Sequence, residues 1–366
     1  MASAFRVGSF NVENLFSRAK VLNLSNPENV NNKLARIDRL NTLINKPTPF
    51  TSKQKLDIVA LYKELSDYVA IRENRGSKLF NRSKTKVTAT SGKDWDGELE
   101  FKRERFSKLT RENTAKVIRT IKADIACVIE AEDRPTLKSF DTDLLRSHFK
   151  YEMLLDGNDN RGIDVGIYSR FPLGGIWTHM FDRSGNSATF SRDCPEYEVL
   201  LPNGNSLFLL CNHLKSKGYD TNGTADQRRT KQATAIAKIL EEYDLSKDWV
   251  VVAGDLNDTP DSAPLRPLLS VPNMFDVLDL HFGKQPALRW TYEYKGAFDQ
   301  IDYILVSKPL KERLMDAGVE RRGIYGLHRL TSKTNGGIPV EREFASVTEP
   351  TNAASDHGAV WAEFSL

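Results

Sequence analysis

The sequence predicts an α/β protein in which β-sheets are covered by helices. Short runs rich in Val, Ile, Leu and Phe recur along the 366 residues, each of strand length and bounded by Gly, Asn, Asp or Pro. Several of these runs are apolar on both alternations, as strands covered on both faces require. Helical patterns stand between them, so the order is mixed throughout and one layered domain over 1–366 is expected.

The elements follow in chain order. "FRVGSFNV" (5–12) opens as a strand. Roughly 95 residues (about 19–113) then separate it from the helix before the second strand, far beyond a usual connection. Within that stretch, "SKQKLDIVALYKELSDYVAI" (52–71) reads as a helix begun by a capping-box spacing, Thr51 to Gln54. "TSGKDWDGELEF" (90–101) reads as a hairpin, so the stretch is an insertion with its own structure. Residues 110–122 place Ala115, Val117, Ile118 and Ile121 at helical spacing, directly before the strand "DIACVIE" (124–130). "GIDVGIYS" (162–169) and "SLFLLCNHL" (206–214) are further strands. Residues 224–243 begin with Thr224 and Gln227 in capping-box spacing and continue with good helix formers. "WVVVAGDLN" (249–257), "IDYILVS" (301–307) and the terminal run within "AASDHGAVWAEFSL" (353–366) complete the strands.

Composition narrows the class. At 40% hydrophobic and 28% charged, the chain is an ordinary globular one, neither disordered nor membrane-embedded. With 52 basic and 49 acidic side chains the formal charge is +3, so any polyanion preference must come from a local patch. Cys127, Cys194 and Cys211 have no metal-type spacing. Cys127 and Cys211 lie in apolar runs and read as buried free thiols of a reducing compartment. "MASAFRVGSFNVENLF" lacks a basic n-region and an apolar h-region, and no run is long enough to span a bilayer. A cytoplasmic monomer is the default expectation.

The strand-like runs share a second property: their ends carry polar, chemically competent residues. The first ends in Asn11 and Glu13, the second in Glu130 and then Glu132, and the third carries Asp164. The fourth ends in Asn212, His213, Lys215 and Lys217, and the fifth in Asp255 and Asn257. Asp302 and the pair Asp356-His357 stand at the mouths of the last two. Acids where strands run out into loops collect on one rim, where function concentrates. A phosphodiester has negative oxygens and a poor leaving alkoxide. A hard cation held by carboxylate and amide oxygens offsets the developing charge.

"SFNVENLF", "VIEAEDR", "RGIDVGIYSR", "FSRDCPEYEV", "NHLKSKG", "GDLNDTP" and "SDH", in this order, resemble the endonuclease/exonuclease/phosphatase superfamily of deoxyribonuclease-like metal-dependent phosphoesterases. They look most like its bacterial nuclease-like branch. The likeness covers 5–17 and 114–366 and leaves the insertion aside. It implies two mostly antiparallel sheets packed face to face and flanked by helices, a four-layer α/β/β/α sandwich. It also implies Mg²⁺, with Mn²⁺ or Ca²⁺ as substitutes, held by Glu130 with Asn11, Glu13 and Asp356 nearby. Asp255 would orient the attacking water and take its proton, and Asn257 would fix Asp255 or the phosphate. His357 would donate to a non-bridging phosphate oxygen, its other ring nitrogen held by Asp302. Asp164 and His213 would stand by the leaving group as an acid–imidazole pair. Arg192 resembles a phosphate-contacting arginine, with a surface pair to Asp193 as the alternative. Asn212, Lys215 and Lys217 complete the expected substrate contacts. Glu132 is either a supporting acid or a loop residue, and His148, His179, His281 and His328 read as structural.

The substrate expected is nucleic acid. Its support is the basic density of "FKRERFSKLTR" (101–111), "KSK" (215–217) and "DQRRTK" (226–231), which phosphate backbones reward through counterion release. Glu100, Glu104, Glu112 and Asp226 leave open that these are solvated faces. The alternative substrate is a phosphomonoester, inositol phosphate or lipid head group, with the insertion as a selecting lid. No aromatic–aliphatic wedge for a membrane is evident. A non-catalytic binding module is the third reading, opposed by the competent residue type at every expected position.

Overall fold

The computed structural model describes residues 4–366 except 16, 25–26, 75–76, 106, 160–161, 186, 218–223 and 334–336. Its two large sheets are numbered here as twelve strands. They are β1 (Ala4–Leu15), β2 (Ile125–Ala131), β3 (Tyr151–Leu154), β4 (Asp164–Ser169), β5 (Leu173–Trp177) and β6 (Glu196–Leu200). The others are β7 (Ser206–His213), β8 (Trp249–Asp255), β9 (Met274–Asp276), β10 (Asp302–Ser307), β11 (Leu314–Glu320) and β12 (Ala359–Ser365). One sheet has the order β11-β12-β1-β2-β4-β3 and the other β9-β10-β8-β7-β6-β5. Each holds a single parallel pair, β1 with β2 and β7 with β8, and every other neighbouring pair is antiparallel.

Period-two alternation divides the faces. Phe5, Val7, Ile125, Cys127 and Ile129 turn inward against Leu207, Leu209, Cys211, Val251, Ala253 and Ile304 of the second sheet. Phe5 stacks with Trp249 across this core, ring centroids 6.0 Å apart. The outer face of the first sheet, with Phe10, Val12, Ala126 and Val128, is covered by a helix over Lys108–Ile121 through Ala115, Val117, Ile118 and Ile121. Ser107 caps that helix by accepting the Thr110 N–H, and Lys122 ends it in a left-handed conformation. A second helix, Thr224–Ile239, lays Ala233, Ile236 and Ile239 on Leu210, Val250, Val252 and Leu305. The result is the four-layer α/β/β/α sandwich. All three cysteines are free and buried. The Cys127 thiol donates to the Ala253 carbonyl (3.7 Å) and the Cys211 thiol to the Gly166 carbonyl (3.8 Å), each reaching into the opposite sheet.

Residues Ser17–Phe106 form a compact unit of their own around Ile37, Leu40, Ile44, Ile58, Leu65, Val69 and Trp95. Its boundary falls before Ser107, so residues 107–113 belong with the sandwich. The Thr51–Gln54 capping box forms in both directions and starts the helix Ser52–Leu65. That helix stops short of the expected 71, because Val69–Glu73 is a strand. Ser66 and Asp67 favour a turn, and Tyr68-Val69-Ala70-Ile71 carries strand formers. The expected local hairpin over 90–101 does not form either. Gly97–Phe101 pairs antiparallel with Val69–Glu73, while Asp94 closes a turn by accepting from the Thr90 N–H and hydroxyl. Trp95 is buried and donates to the Ile44 carbonyl, which ties this turn to the end of the helix Pro27–Ile44.

Candidate active site

The inward alternation of the second sheet continues past its last apolar residues into polar ones. Leu207, Leu209 and Cys211 lead to His213, Val251 and Ala253 to Asp255, and Val306 and Ile304 to Asp302. The ladders set His213 opposite Asp255 and Asp255 opposite Asp302, so the three share one row across β7, β8 and β10. In the first sheet Asn11 takes the corresponding place after Phe5, Val7 and Ser9. All four are buried. Gly254 makes the row possible. Its φ is +144°, and a Cβ there would stand 1.9 Å from the Asn212 carbonyl oxygen of the neighbouring strand.

The first sheet supplies its acids differently. By simple alternation Glu130 would follow Ala126 and Val128 onto the helix side. The β2 ladder instead shifts register between Ile129 and Ala131, and Glu130 adopts φ +66°. A bulge of this kind re-aims a side chain. Glu130 Oε1 thereby comes 3.5 Å from Asn11 Nδ2 and 3.7 Å from His213 Nε2. A matching irregularity follows Asn11 in β1, where Glu13 has φ +48° and donates its N–H to Asn11 Oδ1. Asn257, just beyond β8, is a third non-glycine residue of the rim in this region, at φ +55°. Such conformations are held only where surrounding contacts over-determine them, and they gather at functional sites.

The polar groups are linked atom to atom. Asn11 Nδ2 donates to Asp255 Oδ2 at 3.1 Å. Asp255 Oδ1 accepts the Asn257 N–H (2.8 Å), and Asn257 Nδ2 donates to the Leu214 carbonyl (3.2 Å). His213 Nε2 lies 3.6 Å from Asp255 Oδ2. His357 Nδ1 donates to Asp302 Oδ2 at 2.8 Å, and the Asp302 N–H donates to Thr291 Oγ1. The other face of that imidazole points at the site, its Nε2 4.0 Å from Asp255 Oδ2 and 3.8 Å from Asp356 Oδ1. Ser355 joins the two ends of the chain, donating its hydroxyl to the Asn11 carbonyl (2.7 Å) and accepting the His357 N–H (3.0 Å).

Charge follows from this packing. Burial and then the neighbouring Asp302 push the Asp255 carboxyl up to about 7, with His357 acting against them. Burial opposes a charged His357, but Asp302 and Asp356 outweigh it and hold the imidazole well above its ordinary range. Crowded carboxylates of this kind fit a hard divalent cation. Asp255, Asp302 and His357 bring potential ligand atoms within 4.8 Å of one another. Asp302 and His357 are, however, committed to each other. Glu130 and Asn11 bring further polar groups beside Asp255, and Asp356 lies 3.8 Å from His357 Nε2, a donor set that fits such an ion.

The remaining sequence-predicted residues fall elsewhere. Asp164 accepts the Gly157 N–H (2.9 Å), and its carboxyl is pushed up to about 7 by burial, with Asp156 and Asp159 adding to it. Glu130 and Asp255 face His213 Nε2, at 3.7 and 3.6 Å. Arg192 is buried, ion-paired with Asp159 (3.0 Å) and donating to the Leu214 carbonyl; Asp193 instead accepts from Thr178 and the N–H groups of His179 and Cys194. Asn212 takes the outward alternation with Leu210 and is fully buried, its Nδ2 donating to the Leu210 carbonyl. Lys217 pairs with Asp258 at 2.5 Å, and the Lys215 N–H donates to Gln232. Glu132 is nearly buried beside the rim. His179 sits between Asp182 and Glu196; burial opposes its charge, but these two acids raise it to about 9. His148, His281 and His328 make local contacts with the Ala123 carbonyl, Asp316 and Glu343.

Arg229, expected within the exposed basic run 226–231, has a supporting role instead. Arg229 is fully buried, with Nε 3.0 Å from Asp258 Oδ2, Nη1 donating to the Lys215 carbonyl (2.8 Å) and Nη2 on Asp226. It ties the loop after His213 to the loop after Asp255. Helical spacing was its signal, since Arg229 shares a face with Ala225, Gln232, Ala233 and Ile236.

Among known proteins, the sequence matches the endonuclease/exonuclease/phosphatase family over residues 101–357. The structure is similar to truncated Caenorhabditis elegans TDP2, at 20% identity over 70% of this chain and 91% of that chain (TM-score 0.48). It is also similar to an endonuclease/exonuclease/phosphatase from Beutenbergia cavernae, at 16% identity over 70% and 66% (TM-score 0.49). A family protein from Bacteroides thetaiotaomicron aligns over 100% of both chains at 12% identity (TM-score 0.50). No curated protein matches. At such identities the structural likeness concerns the fold, and function rests on the site. With the family's pattern matched over well more than half its length, the chain belongs to the endonuclease/exonuclease/phosphatase family of phosphoester hydrolases.

Proposed function

We propose that the protein is a divalent-metal-dependent phosphodiesterase that cuts nucleic-acid strands by in-line attack of water. The observation that carries this reading is the convergence of Asn11, Glu130, Asp255, His213 and the Asp302-held His357 at one end of the inter-sheet core. Glu130, with Asn11, Glu13 and Asp356, would hold a divalent cation, which would neutralise phosphate charge. Asp255 orients the attacking water and takes its proton, work to which a carboxyl near 7 is matched. His357, kept charged by Asp302, donates from Nε2 to a non-bridging oxygen as the pentacovalent state forms. His213 protonates the leaving oxygen from its place between Glu130 and Asp255. Asn257 keeps Asp255 aimed through its N–H.

The test is a panel of plasmid DNA, single-stranded DNA, RNA, inositol phosphates and bis(p-nitrophenyl) phosphate, assayed with Mg²⁺ or Mn²⁺ and again with chelator. Cation-dependent strand cleavage, abolished by chelator, is the expected result. Phosphate release from inositol phosphates that outpaces strand cleavage overturns it.

A further inference from the structure

A polar cleft of ≈ 370 Å³ lies along the N-terminal part of the helix Thr224–Ile239. Lys215, Arg228 and Lys231 line it together with Ser184, Ser187 and Thr189, and no acidic or aromatic residue does so among the described residues. Its position follows from the chain. Lys215 is two residues beyond His213, so their Cα atoms are within about 7.6 Å of each other. The helix divides its faces by spacing. Ala225, Arg229, Gln232 and Ile236 are buried, while Gln227, Arg228 and Lys231 look out along the cleft. Asp226, the one acid of this basic run, is drawn to Arg229. Among the described residues, Arg228 and Lys231 are exposed and make no ion pair.

Resting on the nuclease reading above, we infer that this cleft is a second phosphate subsite, taking the backbone of the same nucleic-acid strand beyond the scissile bond. Cations set beside hydroxyl donors recognise phosphodiester oxygens, which position a strand without reading its sequence. Phosphodiester oxygens are common to every sequence, so recognition at this subsite is independent of sequence.

The experiment compares wild type with Arg228→Gln/Lys231→Gln, both changes lying on an exposed helix face. Fluorescence anisotropy measures binding of 20-mer DNA and RNA oligonucleotides of the same sequence across salt concentrations. Steady-state kinetics compares those oligonucleotides with bis(p-nitrophenyl) phosphate. The expected result is oligonucleotide affinity weaker by on the order of tenfold, with the slope of log affinity against log salt reduced by about 2. The ratio of kcat/KM for oligonucleotide to that for the small ester falls in parallel, through KM. An equal loss for DNA and RNA identifies the shared backbone as the ligand, and a loss confined to one identifies that nucleic acid. A wild type that cuts oligonucleotides while the double variant binds them equally well overturns the subsite and leaves the nuclease reading standing. A wild type that hydrolyses the small ester but neither binds nor cuts oligonucleotides overturns both.

Discussion

The two sheets bring residues to the same rim by opposite means. The second sheet does it with regular geometry: His213, Asp255 and Asp302 fall on the inward alternation of three paired strands and share one row. The first sheet does it by breaking register, with Glu13 and Glu130 in the left-handed region beside two ladder irregularities. Regular strands place groups rigidly but only at every second residue. A bulge reaches a position that alternation forbids, at a backbone penalty of about 1–3 kcal/mol per residue. The regular half holds the groups proposed to move protons, and the irregular half holds the acids proposed to face a cation.

The sharpest way to break this contrast is Asp255→Asn, which keeps shape and removes the base. A fall in kcat of about 10³-fold is expected, with circular dichroism and thermal unfolding little changed. A variant that keeps near-wild-type kcat would remove Asp255 from the proposed chemistry.

Next in size is Asp302→Asn, which tests whether the row controls charge at His357. Removing the partner of a buried charge costs about 3 kcal/mol. His357 is raised in the folded state, so its stabilising effect is fully present below its unfolded value near 6.5 and is lost as pH rises through the folded value. The stability gap between wild type and variant, from urea unfolding, is therefore widest at acid pH and narrows at alkaline pH. In the same variant the alkaline limb of the kcat profile moves to lower pH. A gap that widens instead with rising pH contradicts the assignment of charge.

The smallest expected effect sharpens the comparison most. Glu130→Gly relieves a left-handed backbone, and about 1 kcal/mol of added stability is expected from thermal unfolding. The same change should abolish Mn²⁺ binding in calorimetry. Asp255→Gly, in a regular strand, loses stability instead. If both substitutions destabilise equally, the bulge stores no strain.

The difference between the halves also explains what could be read beforehand. The strands that carry His213, Asp255 and Asp302 are evident as apolar runs with polar ends, because register and alternation are written in consecutive residues. The left-handed turn at Glu130 is not, since "VIEAEDR" contains no glycine to announce it. Asn212 shows the reverse: it neighbours His213 in sequence, but alternation turns it to the buried outer face. The strand pairing of Gly97–Phe101 with Val69–Glu73 depends on a partner more than twenty residues away, which local turn chemistry does not reveal. Arg192 and Asp159 find each other across a folded surface for which no spacing rule exists.

Cys127 and Cys211 sit between the sheets, each thiol hydrogen-bonded to the facing layer. A water-borne alkylating agent gains access to them only when the layers part. The chain thus contains, without any engineered label, a chemical clock for how often its sandwich opens.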